Sequence, residues 1–93
     1  MLVGIYANTE RDVGLAFTRS LVAELGREGI GCAVHVSAGD MISGVRFFGD
    51  DCKPRPDVIV SLGGDGTILS SIAFAAPAGI PVMGVNLGGM GFL

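Results

Sequence analysis

The sequence predicts an α/β domain, a parallel sheet with helices flanking it, and three observations carry that expectation. Four short apolar runs rich in β-branched residues recur along the chain, at 2–7, 31–36, 57–62 and 80–85. Stretches with helical spacing follow the first and third runs. Glycine-containing loops follow where a strand would release the chain.

The first run, LVGIYA, is bounded by Asn8 and Thr9 and reads as a buried strand. Asp12 is an N-cap candidate, and Val13, Phe17, Leu21 and Leu25 recur every four residues beyond it. Arg19, Glu24, Arg27 and Glu28 lie off that row, so an amphipathic helix is expected to about Arg27, closed by Gly29 and Gly31. In the second strand, 31–36, alternation puts Cys32, Val34 and Val36 on one face and Ala33 and His35 on the other. Met41, Ile42, Val45, Phe47 and Phe48 suggest one short helix, followed by a polar linker in which Pro54 and Pro56 forbid regular structure.

The third strand, 57–62, is almost continuously apolar, as a central parallel strand covered on both faces should be. A helix from about Gly66 to Ala75 follows and is broken by Pro77 and Gly79. The fourth strand, 80–85, runs into a glycine-rich loop at 86–93. With right-handed crossovers these elements make one parallel sheet whose loops share an edge.

Ninety-three residues, 49% hydrophobic and 16% charged, suit one globular domain. Its apolar surplus suggests a face meant for a partner domain or subunit, hence a homo-oligomer. A net charge of −3 and a pI near 4.7 argue against nucleic acid or an anionic membrane as partner. Lys53 is the sole lysine, and Arg11, Arg19, Arg27, Arg46 and Arg55 are dispersed, which reads as solvated surface charge. Cys32 and Cys52 are too few for a disulfide framework and lack metal-ligand spacing. With no basic leader and no apolar run near ~20 residues, a soluble cytoplasmic protein is expected. His35, the single histidine, has no second histidine or paired carboxylate nearby in sequence and reads as structural.

The chemistry concentrates in GGDGT, Gly63 to Thr67. Gly63, Gly64 and Gly66 let a loop turn its N–H groups toward one point, and the helix behind it adds its positive end, which together form a phosphate cradle. A carboxylate there would repel a phosphate unless it also held Mg²⁺ or accepted a proton from an attacking hydroxyl. Both roles belong to phosphoryl transfer. A Walker A loop is excluded, because no Gly-Lys-Ser/Thr ending is present, and the dinucleotide fingerprint fails because Leu69 stands where its third glycine belongs. Taken alone, GGDGT also fits a tight strand-to-helix turn with Asp65 capping the helix.

GGDGT followed after a helix by GVNLGGMGFL, Gly84 to Leu93, closely resembles the ATP-NAD kinases. Phosphofructokinases, diacylglycerol kinases and sphingosine kinases carry similar glycine-aspartate loops but not the second segment. The resemblance implies a Rossmann-like, phosphofructokinase-like sheet forming the amino-terminal domain, residues 1–93. It implies transfer of the ATP γ-phosphate, with a divalent cation such as Mg²⁺, to the 2′-hydroxyl of the adenosine ribose of NAD. On that resemblance Asp65 is the proton acceptor; Asp65, Gly66, Leu69 and Phe92 meet the dinucleotide; and Gly63, Gly64, Gly66 and Thr67 face phosphates. Asn86 and Gly88 shape the second loop.

The chain departs from the family pattern at Ser70, where many members carry arginine or another larger polar residue. It also lacks the Asn-Glu or Asn-Asp motif and the β-rich carboxy-terminal domain expected beyond Leu93, so it is expected to be a fragment of an enzyme. The alternatives are a nucleotide-binding α/β module without turnover, or another kinase of the GGDGT type. A dinucleotide is long beside two loops, and lost positioning sacrifices part of the ~7–11 kcal/mol that orientation can contribute. The isolated chain is therefore expected to self-associate and to make no NADP from NAD and ATP at a useful rate, which size-exclusion chromatography and a coupled NADP assay would check.

Overall fold

A computed structural model describes residues 1–87 of the chain. Five parallel strands form one sheet: β1 (Leu2–Ala7), β2 (Gly31–His35), β3 (Arg46–Phe48), β4 (Val58–Gly63) and β5 (Val82–Asn86), in the order β3-β2-β1-β4-β5. Helix α1 (Ala16–Arg27) connects β1 to β2, and α2 (Asp65–Ala75) connects β4 to β5. The expected parallel α/β sheet is present, with one strand more than the four apolar runs suggested.

The sheet is covered on both faces. One carries Ile5, Ala7, Val34 and Leu62 with Leu21, Val22 and Leu25 of α1 packed against them; the other carries Ala33, Phe48 and Ile59 with Phe74 and Ala75 of α2. Two-sided burial explains why β4 reads as an unbroken apolar run. Among the described residues, no helix is long and apolar enough to cross a membrane.

The first helix differs from expectation at its start. Val13–Leu15 is a 3-10 turn, and Leu15 then takes left-handed backbone angles, φ 55° and ψ 33°, while its side chain is fully buried. That conformation costs a non-glycine residue energy, which the packing of Leu15 offsets. The kink turns Val13 and Phe17 outward, leaving them 76% and 47% exposed, so the inward row is Leu15, Thr18, Leu21, Val22 and Leu25. Asp12 does cap the helix, from further away than expected. Its buried carboxylate accepts from Phe17 N at 2.7 Å, Thr18 N at 2.9 Å and Thr18 Oγ1 at 2.6 Å.

The short helix expected from Met41 to Phe48 is replaced by a 3-10 segment at Val36–Met41 and the edge strand β3. Residues 46–48 pair with Ala33, Val34 and His35, which buries Phe48 beneath the sheet. His35 sits among aromatic rings, and a carboxylate that its sequence context did not offer, Asp50, reaches its ring. Its ring stacks on Phe74 at 5.1 Å and meets Tyr6 and Phe48 edge-on. Nδ1 accepts from Ser37 N at 3.1 Å and lies 2.8 Å from Ser37 Oγ, and Nε2 lies 2.7 Å from Asp50 Oδ1.

Gly4 shows how tightly the second face is built. A Cβ at that position would lie 2.8 Å from Pro56 Cγ and 3.1 Å from Phe48 Cε1, both in buried side chains. Gly4→Ala in the full-length protein should lower the unfolding free energy by about 1–3 kcal/mol, as overpacking does. Gly31→Ala, whose nearest contact would be an ordinary 3.5 Å, should cost less than about 1 kcal/mol. Urea denaturation of the two variants checks the difference.

Candidate functional site

Strand order reverses at β1. The chain leaves it toward β2 and β3 on one side, then returns to place β4 and β5 on the other. In open parallel sheets, ligands bind beyond the carboxyl ends of the strands at such a reversal, because neighbouring loops diverge there and leave a crevice. Here the loop after β1, residues 8–11, faces the turn after β4 and the start of α2, residues 64–67. Asn8 N donates to Leu62 O at 2.8 Å, which continues the ladder one step beyond β1 and brings the two loops together.

Between them lies an open cleft of about 460 Å³. Residues 6–11 form one wall, Gly64, Asp65, Gly66, Thr67 and Ser70 form the other, and Ser37 contributes from the end of β2. Asp65 is the first residue of α2 and is exposed. It leads the helix rather than preceding it, so α2 starts one residue earlier than the glycines suggested. Gly64 is the cap position, and Thr67, third in the helix, reaches back so that Gly64 N donates to its Oγ1 at 3.4 Å. The opening amides of any helix lack intrahelical acceptors, so this end offers N–H donors and positive potential toward the cleft.

Thr67 is buried and ties the two loops together. Asn8 Nδ2 donates to Thr67 Oγ1 at 3.3 Å, while Asn8 Oδ1 accepts from Glu10 N at 2.9 Å and Arg11 N at 3.1 Å. One asparagine thus shapes its own loop as an Asx turn and links it to the glycine loop. Gly63 lies beneath this junction: a Cβ there would collide with the Thr67 side chain and come within 3.0 Å of Asn8 Cβ. Its lack of a side chain serves close packing of the two loops, in addition to any role toward phosphate.

The structure brings Gly64, Asp65, Gly66 and Thr67 into the cleft, and Ser70 with them. Leu69 lies off the cleft wall and is 68% exposed. Asn86, at the end of β5, sits beside Gly63 in the ladder, and Leu87 N donates to Gly63 O at 2.7 Å. The loops after β4 and β5 therefore leave the same edge of the sheet. Gly88 and Phe92 lie outside the described residues.

The loop at 8–11 is the part that sequence reasoning did not connect to the site. Arg11, read as a dispersed surface charge, is exposed but borders the cleft, with its guanidinium carbon 3.7 Å from where a Gly64 Cβ would stand. Glu10 borders it as well. The polar run Asn8-Thr9-Glu10-Arg11 directly after a strand was the available signal, and it gains meaning only once β1 is known to neighbour β4. Among the described residues no three His, Cys, Asp or Glu side chains converge as metal ligands. Asp65 and Glu10 are the carboxylates at the cleft.

Comparison with known proteins agrees with this geometry. The family model of the ATP-NAD kinase N-terminal domain matches residues 5–93. An NAD kinase from Acetivibrio thermocellus is 38% identical over 95 residues, covering 98% of this chain and 32% of that protein. One from Heliobacterium modesticaldum is 40% identical over 85 residues, covering 91% of this chain and 24% of the relative. One from Ruminiclostridium cellulolyticum is 33% identical over 96 residues, covering 98% and 32%. The chain thus spans about a third or less of the length of these relatives.

Asn8→Ala should remove two loop caps and the link to Thr67, at a cost of about 1–2 kcal/mol to local stability. Hydrogen exchange at the Glu10 and Arg11 amides should speed up by roughly 5–30-fold, the factor that such an energy represents. Unchanged protection of those two amides would show that the loop is held by other contacts.

Proposed function

Because this chain belongs to the ATP-NAD kinase N-terminal domain family, we propose that the full-length protein transfers the γ-phosphate of ATP to the 2′-hydroxyl of the adenosine ribose of NAD, giving NADP. The observation that carries this reading is the position of Asp65. An exposed carboxylate heads α2 at the strand-order reversal, inside a cleft whose other wall is a second loop.

Phosphoryl transfer asks little covalent chemistry of a protein. It requires alignment of the hydroxyl with the phosphate and stabilisation of charge at the transferred group. Asp65 accepts the proton of the attacking 2′-hydroxyl as the new P–O bond forms and the bond from the γ-phosphorus to the bridging oxygen breaks, releasing ADP. Gly63, Gly64, Gly66 and Thr67 form the turn that faces phosphate oxygens, and the amino end of α2 favours the anion. A Mg²⁺ carried by the nucleotide would neutralise part of the phosphate charge, with Asp65 and Glu10 as the carboxylates within reach of the cleft.

Gly66, Leu69 and Phe92 contact the dinucleotide together with Asp65, and Asn86 and Gly88 shape the loop beside it. A β-rich domain beyond residue 93 completes the binding of NAD. The exposed apolar side chains of Ile72 and Met83 support burial against such a domain or against a second subunit in a homo-oligomer. A cytoplasmic location suits an enzyme that consumes ATP and NAD.

Asp65→Asn in the full-length protein keeps the shape of the side chain and removes the base. Turnover should fall by ~10²–10⁴-fold, the usual worth of general base assistance, with NAD still bound. Steady-state rates of NADP formation and calorimetric titration with NAD check both parts. Undiminished turnover would reject Asp65 as the base, and a wild-type protein that binds nucleotide without making NADP would favour the module without turnover.

A further inference from the structure

We propose that Arg11 is the phosphate-binding cation of the cleft and that it grips the phosphate chain of the nucleoside triphosphate donor. The assignment of that chain to the donor rests on the function proposed above; the phosphate-binding role itself rests on geometry.

Charge balance points to Arg11 first. Asp65 and Glu10 put two carboxylates at the cleft, and the glycine loop can answer a polyanion only with amides and a helix end. A triphosphate carries more negative charge than the diphosphate bridge of a dinucleotide, so it has the greater need of a counter-charge. Among the described residues that line the cleft, Arg11 is the only cation.

The guanidinium is also available. Arg19 is engaged by the carbonyls of Gly14 and Met41, and Arg27 by Glu24. Among the described residues, no hydrogen bond or ion pair occupies the Arg11 guanidinium, although Glu10 and Asp65 border the same cleft. A planar fork with several free donors is suited to two oxygens of one phosphate, or to one oxygen on each of two neighbours.

Its position fits the same role. The guanidinium lies beside Gly64, with Cζ, Nη1 and Nη2 at 3.7–3.8 Å from where its Cβ would be, so it hovers over the same turn that offers the amides. Its main chain is held as well: Arg11 N donates to Asn8 Oδ1, and Asn8 is linked to Thr67 at the base of α2. The stem of the side chain therefore starts from a fixed point relative to the glycine loop, which lowers the ordering cost of binding. Arg11 touches phosphate; Asn8 is a positioning residue that acts through it.

The test compares Arg11→Met, Arg11→Lys and wild type in the full-length protein. Arg11→Met should raise KM for ATP at least about tenfold and leave KM for NAD within about twofold, and Arg11→Lys should recover part of the loss, since it keeps the charge and gives up the fork. Calorimetric titration with inorganic tripolyphosphate should weaken by a similar factor in Arg11→Met. An unchanged KM for ATP with unchanged tripolyphosphate binding would overturn the proposal, and so would a rise confined to KM for NAD, which would move the residue to the acceptor. Equal losses toward both substrates with no rescue by lysine would mark a structural role and overturn it too. If the wild-type protein makes no NADP, the proposed function fails, yet the tripolyphosphate titration still decides whether Arg11 binds phosphate. Arg11 is exposed, so thermal melts of the variants should match wild type and a folding defect can be told from a binding one.

Discussion

The parallel pairing of β1 with β4 is the contact on which the site depends. Five residue pairs, from Val3 with Val58 to Ala7 with Leu62, hold two strands side by side that are separated by fifty residues of chain, including α1, β2 and β3. Loop closure over that distance is entropically costly, and burial on both faces of the sheet offsets it. Ile5, Ile59 and Leu62 are fully buried, and Pro56 packs on Gly4 just before β4 begins. Were β4 to pair elsewhere, residues 8–11 and 64–67 would have no reason to face one another.

Above that pairing, one small polar junction aligns the two loops. Thr67 Oγ1 meets both Asn8 and the backbone of Gly64, and Asn8 in turn holds two amides of its own loop. The absence of a side chain at Gly63 permits the close approach. The glycines of GGDGT therefore have distinct duties. Gly63 makes room for packing, Gly64 starts the helix, and a Cβ on Gly66 would meet nothing within 4 Å, so its place in the cleft is open toward a ligand.

The two sheet faces divide the remaining work. On one, the buried carboxylate of Asp12 anchors the start of α1 and lets Leu15 hold its left-handed angles. On the other, His35 packs its aromatic ring on Phe74, Tyr6 and Phe48 and engages its nitrogens with Ser37 and Asp50. Tyr6 and Ser37 also line the cleft, so this cluster borders it through those two residues. The Asp12 carboxylate and the His35 ring are thereby accounted for by capping and packing.

Hydrophobic pattern alone determined the parallel α/β class, four of the five strands, both helices and the glycine loop at a strand end, because burial on two faces writes itself into local sequence as apolar runs and helical spacing. GGDGT was legible locally as a glycine-rich turn at a strand end, and it pointed to one family only together with the segment at 84–93. Tertiary structure decided what depends on distant pairing. Three residues at the sheet edge became β3 only because β2 offered them a partner, and a residue in left-handed angles at Leu15 rotated the helix face away from Val13 and Phe17. Arg11 and Asn8 carry no motif at all. Their place in the cleft follows from strand order, and strand order is a property of contacts between segments far apart in sequence, which no short window of residues records.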